Sequence, residues 1–156
     1  MKKSIEKLQT ILKAGLSGRV KNFYIGDPWI FPESVLPAIV IAPDNTETNI
    51  ADNTRDMHTH NIIISLIIDA RTYFNATPDK MVGTIFLMNT MEEEETSTPG
   101  IKSNTVLGIL RENLNLDTNR FIENISSINY TTRRRTEELI TLEATATLQI
   151  QFIVNR

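Results

Sequence analysis

No cysteine occurs among the 156 residues. That removes disulfide staples, thiolate metal ligands and thiol redox chemistry together. Glycine and proline number six each, which excludes collagen-like and low-complexity classes. Two histidines leave little material for a histidine-rich metal site. No apolar run approaches the ~18 residues of a membrane-spanning helix. The opening MKKSIEKLQTILKAGLSG has lysines but no apolar centre, because Glu6, Lys7, Gln9, Thr10 and Lys13 interrupt it. It reads without a signal peptide, and assembly in a cytoplasm is expected. The Asn-X-Ser/Thr triplets at Asn75, Asn124 and Asn129 then carry no weight. A basic surplus is also missing: the formal charge is -3 and the pI about 5.4, which argues against a dedicated nucleic-acid binder. There is no G-x-S-x-G, P-loop or Rossmann glycine pattern, and Gly15 and Gly18 flank Ser17 without a strand before them. No nucleophilic triad, metal site or cofactor follows from the sequence.

What is present is alternation. From Ile140 the apolar residues are Ile140, Leu142, Ala144, Ala146, Leu148, Ile150, Phe152 and Val154, with Thr141, Glu143, Thr145, Thr147, Gln149 and Gln151 between them. A period of two places these sets on opposite faces of one strand. At about 3.3 Å per residue that strand runs roughly 50 Å, far beyond the usual five or six residues. A chain of this size builds one domain, residues 1–156, with a real core. A small domain has little use for so long a strand unless copies of it join.

Elsewhere the pattern is mixed. Ile5, Leu8, Leu12 and Leu16 recur at helical spacing and predict an amphipathic helix over residues 3–16, capped by Ser4 and ending near Gly15 or Gly18. Three prolines in GDPWIFPESVLP predict an irregular crossing segment anchored by Trp29, Ile30 and Phe31. AIVIA at 38–42 reads as a short buried strand between Pro37 and Pro43. The polar stretch 43–56 reads as an extended loop. MHTHNIIISLIID at 57–69 returns to strand, and its apolar residues on both faces suggest a central strand covered twice or a subunit contact. Pro78 opens a predicted helix with Val82, Ile85, Phe86 and Asn89 on one stripe. Another short helix is expected near 103–114, through Val106, Leu107, Leu110 and Leu114. Residues 121–136 read as a strand turning into the long one. The sum is an α+β domain: an antiparallel sheet with a long C-terminal β-hairpin over 126–154, flanked by an N-terminal helix and two central helices.

A three-residue turn at Glu137, Glu138 and Leu139 sets the expected hairpin register. Arg133 then faces Glu143, Tyr130 faces Ala146 and Ile128 faces Leu148, matching opposite charges and large with small. Residues 149–154 extend past this partner and must pair elsewhere, with the sheet body or with a neighbouring subunit.

Arg133, Arg134 and Arg135 are the strongest charge feature. They suit a solvated hairpin tip balanced by Glu137 and Glu138. They equally suit an intersubunit or phosphate contact, with Glu92, Glu93, Glu94 and Glu95 of a neighbouring copy as the obvious carboxylates. Gln149 and Gln151 join this candidate interface through the unpaired strand end. Asp56, His58 and His60 fall on one strand face, but two histidines with no third ligand make a weak zinc pattern; polar strand residues are the simpler reading. Asp52, Asn53 and Asp56 lack the glycine and glutamate of a calcium loop. Glu92–Glu95 do not converge as an acid/base pair.

The order of these pieces is specific. An amphipathic helix leads to a Pro-bounded LPAIVIAP strand, then a long polar segment, an III-rich strand, two helices and a closing TTRRR…TLEATATLQIQFIV hairpin. The chain thereby resembles, over nearly its whole length, the tail terminator (tail completion) proteins of long-tailed bacteriophages. That resemblance implies a structural virion protein without catalytic residues or cofactor. It implies a homo-oligomeric ring, typically a hexamer, at the head-proximal end of the tail tube. Such a ring ends tube polymerisation by the tail tube protein and presents a surface to the head-completion (stopper) protein. DNA passes through its lumen without sequence-specific binding, and no membrane is involved. Other neck proteins, or a monomeric adaptor that binds by strand addition, remain alternatives.

Overall fold

The computed structural model describes residues 1–28, 32–52, 54–74, 82–97 and 99–155. Among them the order is α1 (Lys2–Leu16), β1 (Asn22–Ile25), a 3-10 turn (Glu33–Val35), β2 (Ala38–Asp52), β3 (Arg55–Asp69), α2 (Ala70–Phe74), α3 (Val82–Glu92), α4 (Val106–Glu112), β4 (Asn115–Asp117), β5 (Arg120–Ile125), β6 (Asn129–Arg134) and β7 (Ile140–Asn155). The fold is α+β, as the alternating and helical patterns predict. The expected Trp29–Phe31 anchor and the Pro78 helix start lie outside the described residues.

The described strands form one seven-stranded sheet in the order β1-β2-β3-β7-β5-β4, with β6 also pairing β7. It is mixed, because β1 runs parallel to β2, with Asn22 opposite Ala38. β3 is the central strand expected from its two apolar faces. Its Ile62, Ile64, Leu66 and Ile68 are fully buried beneath the helices. Ile67 points the other way, into a small cluster with Leu36, Ala38, Val40 and Leu139.

α1 forms for the predicted reason. Ile5, Leu8, Leu12 and Leu16 make its buried stripe, and each such side chain stabilises the fold by roughly 1.5–3 kcal/mol. Its cap does not follow the prediction. Met1 holds the N-cap position, while Ser4 is buried inside the helix with its hydroxyl 3.3 Å from His60 Nδ1. α4 is capped by Thr105, whose Oγ1 accepts from Gly108 N–H at 3.0 Å. α3 buries Gly83, Leu87, Thr90 and Met91, leaving Ile85 50% exposed. The expected stripe of Val82, Ile85, Phe86 and Asn89 is therefore split: Ile85 and Asn89 lie on the outer face, while Phe86 packs against the core. The helix is apolar nearly all round, so periodicity does not choose a side.

Two further expectations change, and one that had two outcomes is decided. Residues 43–52 are not a loop: they continue β2 in a 15-residue strand that pairs with β3 up to Asp52 opposite Arg55. The polar composition carries no apolar alternation, and the ladder to β3 supplies the order instead. The β6–β7 hairpin slips two residues from the expected register. Arg134 faces Ile140, Arg133 faces Thr141 and Tyr130 faces Ala144, so the turn is longer. A two-residue slip keeps every side chain on its predicted face. Finally, residues 149–154 are paired within the chain. β3 runs along one side of β7 to its end, and β5 takes over from β6 on the other, with Ile122 opposite Ile150. Ile153 N–H donates to Asn119 O at 3.2 Å. The long strand is completed inside one molecule.

Candidate functional site

The sheet runs further than the helices that cover it. The main core ends at Ile41 on β2, Ile62 on β3 and Ile150 on β7. Beyond it, residues 43–50 of β2 are all exposed, and Ile50 near the β2–β3 tip is 73% exposed. Asp52 stiffens that tip. Its carboxylate accepts from Thr54 N–H at 2.7 Å and from Arg55 Nε at 2.8 Å, and these bonds, the Thr54 backbone first, hold its pKa down to about 2. On the helix side of this extension, Phe152 lies 6.2 Å from the His58 ring, and the Arg120 guanidinium sits 4.0 Å above the Phe152 ring.

The candidate arginines occupy three different situations. Arg135 is nearly buried, with only 6% of its side chain exposed. It donates to Glu143 from Nε at 2.7 Å and from Nη2 at 3.1 Å, and to Asp27 from Nη1 at 2.7 Å. Burial opposes its charge, and the Glu143 and Asp27 carboxylates outweigh that and raise its pKa. Arg133 is 60% exposed and only 3.8 Å from Glu143. Arg134 donates to the backbone oxygens of Thr136 at 3.3 Å and Glu137 at 3.1 Å. The carboxylates that balance the run are thus Glu143 and Asp27, not Glu137 and Glu138. The latter sit on an exposed turn that the Thr136 hydroxyl braces, accepting from Glu138 N–H at 3.3 Å and Leu139 N–H at 3.0 Å. Glu143 shows in the sequence as the lone acid on the polar stripe of β7. Asp27, 108 residues from Arg135, has no local signal.

The four glutamates are dispersed. Glu92 closes α3 and accepts from Tyr130 Oη at 2.5 Å; burial first and this bond second push the phenol pKa up. Glu93 binds Lys102 and Arg19, the latter at 3.5 Å, and its pKa is lowered chiefly by the Lys102 bond. Glu94 forms a bridge with Ile101, and Glu95 N–H donates to Gly100 O at 2.9 Å. Among the described residues no ion pair joins Glu92–Glu95 to Arg133–Arg135 within one chain. Gln149 and Gln151 are half-buried mid-sheet, between Asn61 and Thr59 of β3 and Asn124 and Phe121 of β5. They are therefore not at a strand edge. They belong instead to an uncharged polar tract with Thr145 and Thr147, on the face away from α1, α3 and α4.

The two histidines sit in different surroundings. His60 is buried, bonded to Ser4 and 3.2 Å from the Met1 amino group. Burial, then the nearby Met1 ammonium, His58 and Arg120, lower its pKa to about 4. His58 pairs with Thr48 Oγ1 at 2.9 Å. No cluster of three or more His, Asp or Glu able to hold a metal occurs among the described residues. Nor is any described helix long and apolar enough to cross a membrane. A hollow of about 500 Å³ lies beside Asp27 and Arg133–Arg135, and another of about 430 Å³ between α4 and β5.

No protein-family model matches the chain, and no curated protein matches it. A solved structure described as the virion of a native gene transfer agent particle contains a chain 14% identical to this one. The match covers 96% of this chain and 90% of that chain, with a TM-score of 0.37.

Proposed function

We propose that this chain is a structural virion protein: a tail terminator that assembles with copies of itself into a ring, a hexamer, at the head-proximal end of a phage tail tube. The observation that carries the reading is the projecting sheet. β2, β3 and β7 span 15, 15 and 16 residues, and their far ends lie beyond any helix cover. A monomer gains little from strands of that length, and copies packed side by side do. The outer face of α3 adds to this, with Ile85 50% and Met88 45% exposed on one apolar side. The part of the sheet face away from the helices that lies beyond the small Leu36 cluster supports a lumen. There Thr145, Thr147, Gln149 and Gln151 offer hydrogen bonds without positive charge, as a channel that grips DNA weakly requires, and Arg133 on the same face lies 3.8 Å from Glu143. The role is architectural, and catalysis has no part in it. Tail tube protein and head-completion protein are the partners on the two ring faces.

Electron microscopy and sedimentation of the purified protein test this. Rings with a central hole, and a single species near six times the chain mass, are expected. A strictly monomeric species at high protein concentration would overturn the ring and favour a strand-addition adaptor, which an open β2 edge also suits.

A further inference from the structure

Besides the outer edges of the short terminal strands β1 and β4, two strand edges have no partner strand among the described residues. β1 covers β2 only from Ala38 to Ile41, so the outer edge of β2 is open beyond it. β6 pairs with β7 on one side only, so its outer edge is open too. An open edge presents unpaired N–H and C=O groups ready to accept another strand.

The two edges carry opposite charge. Residues 43–52 hold Asp44, Glu47 and Asp52 and no basic residue, while β6 holds Arg133 and Arg134 and no acidic one. Pairing β2 with β2 would set acid against acid, and pairing β6 with β6 would set arginine against arginine. Both isologous dimers are disfavoured, and only the head-to-tail union matches charge. Asp44 is also the extra residue at the register shift between Pro43 and Asn45, left without a partner on β3. Arg133 and Arg134 have capacity to receive such acids, since one holds Glu143 only at 3.8 Å and the other bonds turn carbonyls.

We propose that residues 43–50 of β2 add, antiparallel, to the outer edge of β6 in a second copy of this chain, and that repetition of this join closes the ring. The inference rests on the ring reading above. The direction follows from topology. β2 runs parallel to β7, and β6 runs antiparallel to it. Rotation about a ring axis preserves each strand's sense, so β2 meets the next copy's β6 antiparallel. Faces also match: Thr46 and Thr48 lie on the helix side of β2, as Tyr130 and Thr132 do on β6. The open half of β2 and β6 lie at opposite ends of the sheet, so the join inclines the strands to the ring axis, as in any closed barrel.

The absence of cysteine makes the test clean. Thr46→Cys and Thr132→Cys are introduced together and singly, with Glu47→Cys and Thr131→Cys as a second pair on the opposite face. All four positions are exposed. Each protein is treated with a short bis-maleimide and run on a denaturing gel, and the wild type is sized in parallel. The expected result is a ladder from dimer to closed ring in at least one double variant and none in the single variants. Wild-type rings without a ladder in either pair, or dimers from Thr46→Cys alone, would overturn this join and leave the ring standing. A monomeric wild type would remove the ring and the join together.

Discussion

Gly108 sits where an added methyl group would meet the Lys102 carbonyl oxygen at 2.1 Å and Ser103 Cα at 3.0 Å. Those are backbone atoms and cannot swing aside, so Gly108→Ala is expected to cost about 1–3 kcal/mol in a thermal or urea melt. Gly18 has nothing within 4 Å of such a methyl, and Gly18→Ala should stay within about 0.5 kcal/mol of wild type. His60 supplies a pH signature. Its folded pKa of about 4 lies below the unfolded value, so the unfolded chain binds the extra proton between them. The stability tied to the neutral ring is complete above about pH 6.5 and declines as pH falls toward 4. Urea melts at pH 7 and pH 5 should differ by roughly 1–2 kcal/mol from this residue, and His60→Gln should shrink the difference. The shared face of His58 and His60 is legible from their spacing. The burial of His60 is not, because it depends on α1 docking its Ser4 there across 56 residues of sequence.

At the scale of elements, the β6–β7 turn depends on one nearly buried ion cluster. Glu143 keeps only 4% of its side chain exposed, so removing Arg135 strands a carboxylate in the interior. Arg135→Ala is expected to cost about 3–5 kcal/mol in denaturant, whereas Glu137→Ala and Glu138→Ala should change little. Alternation located β7 and its two faces from sequence alone. The hairpin register was harder, because shifts of two residues preserve the face pattern and only the turn distinguishes them. Matching Arg133 to Glu143 suggested a three-residue turn; in the fold that contact is diagonal, and Arg135 makes the close one. Residues 43–52 escaped for a different reason. Their exposed edge has no buried side chains to write a period of two, so composition imitates a loop.

At the scale of the whole molecule, the α+β class was legible and the strand order was not. Sheet order is set by pairings such as β3 with β7, about 80 residues apart, which leave no local mark. The outer face of α3 likewise appears only once Leu87 and Met91 have claimed the inner one. Ile85→Asp combined with Met88→Glu should leave the circular dichroism spectrum and melting temperature near wild type, because both side chains are largely exposed. On the assembly reading, the same variant should sediment at lower mass than wild type at equal concentration.

β7 joins the two halves of the sheet and is also the last strand in chain order. Translation therefore delivers the central element after everything that leans on it. While the nascent polypeptide is shorter than this, β3 has one bare inner edge, and β5 and β6 have nothing to lie against. The sheet can close only after β7 has been made, by contacts of long sequence separation, which are slow to form. A premature stop upstream of Ile140 is thus expected to yield no stable fragment, so that only a chain whose sheet is already closed reaches any partner.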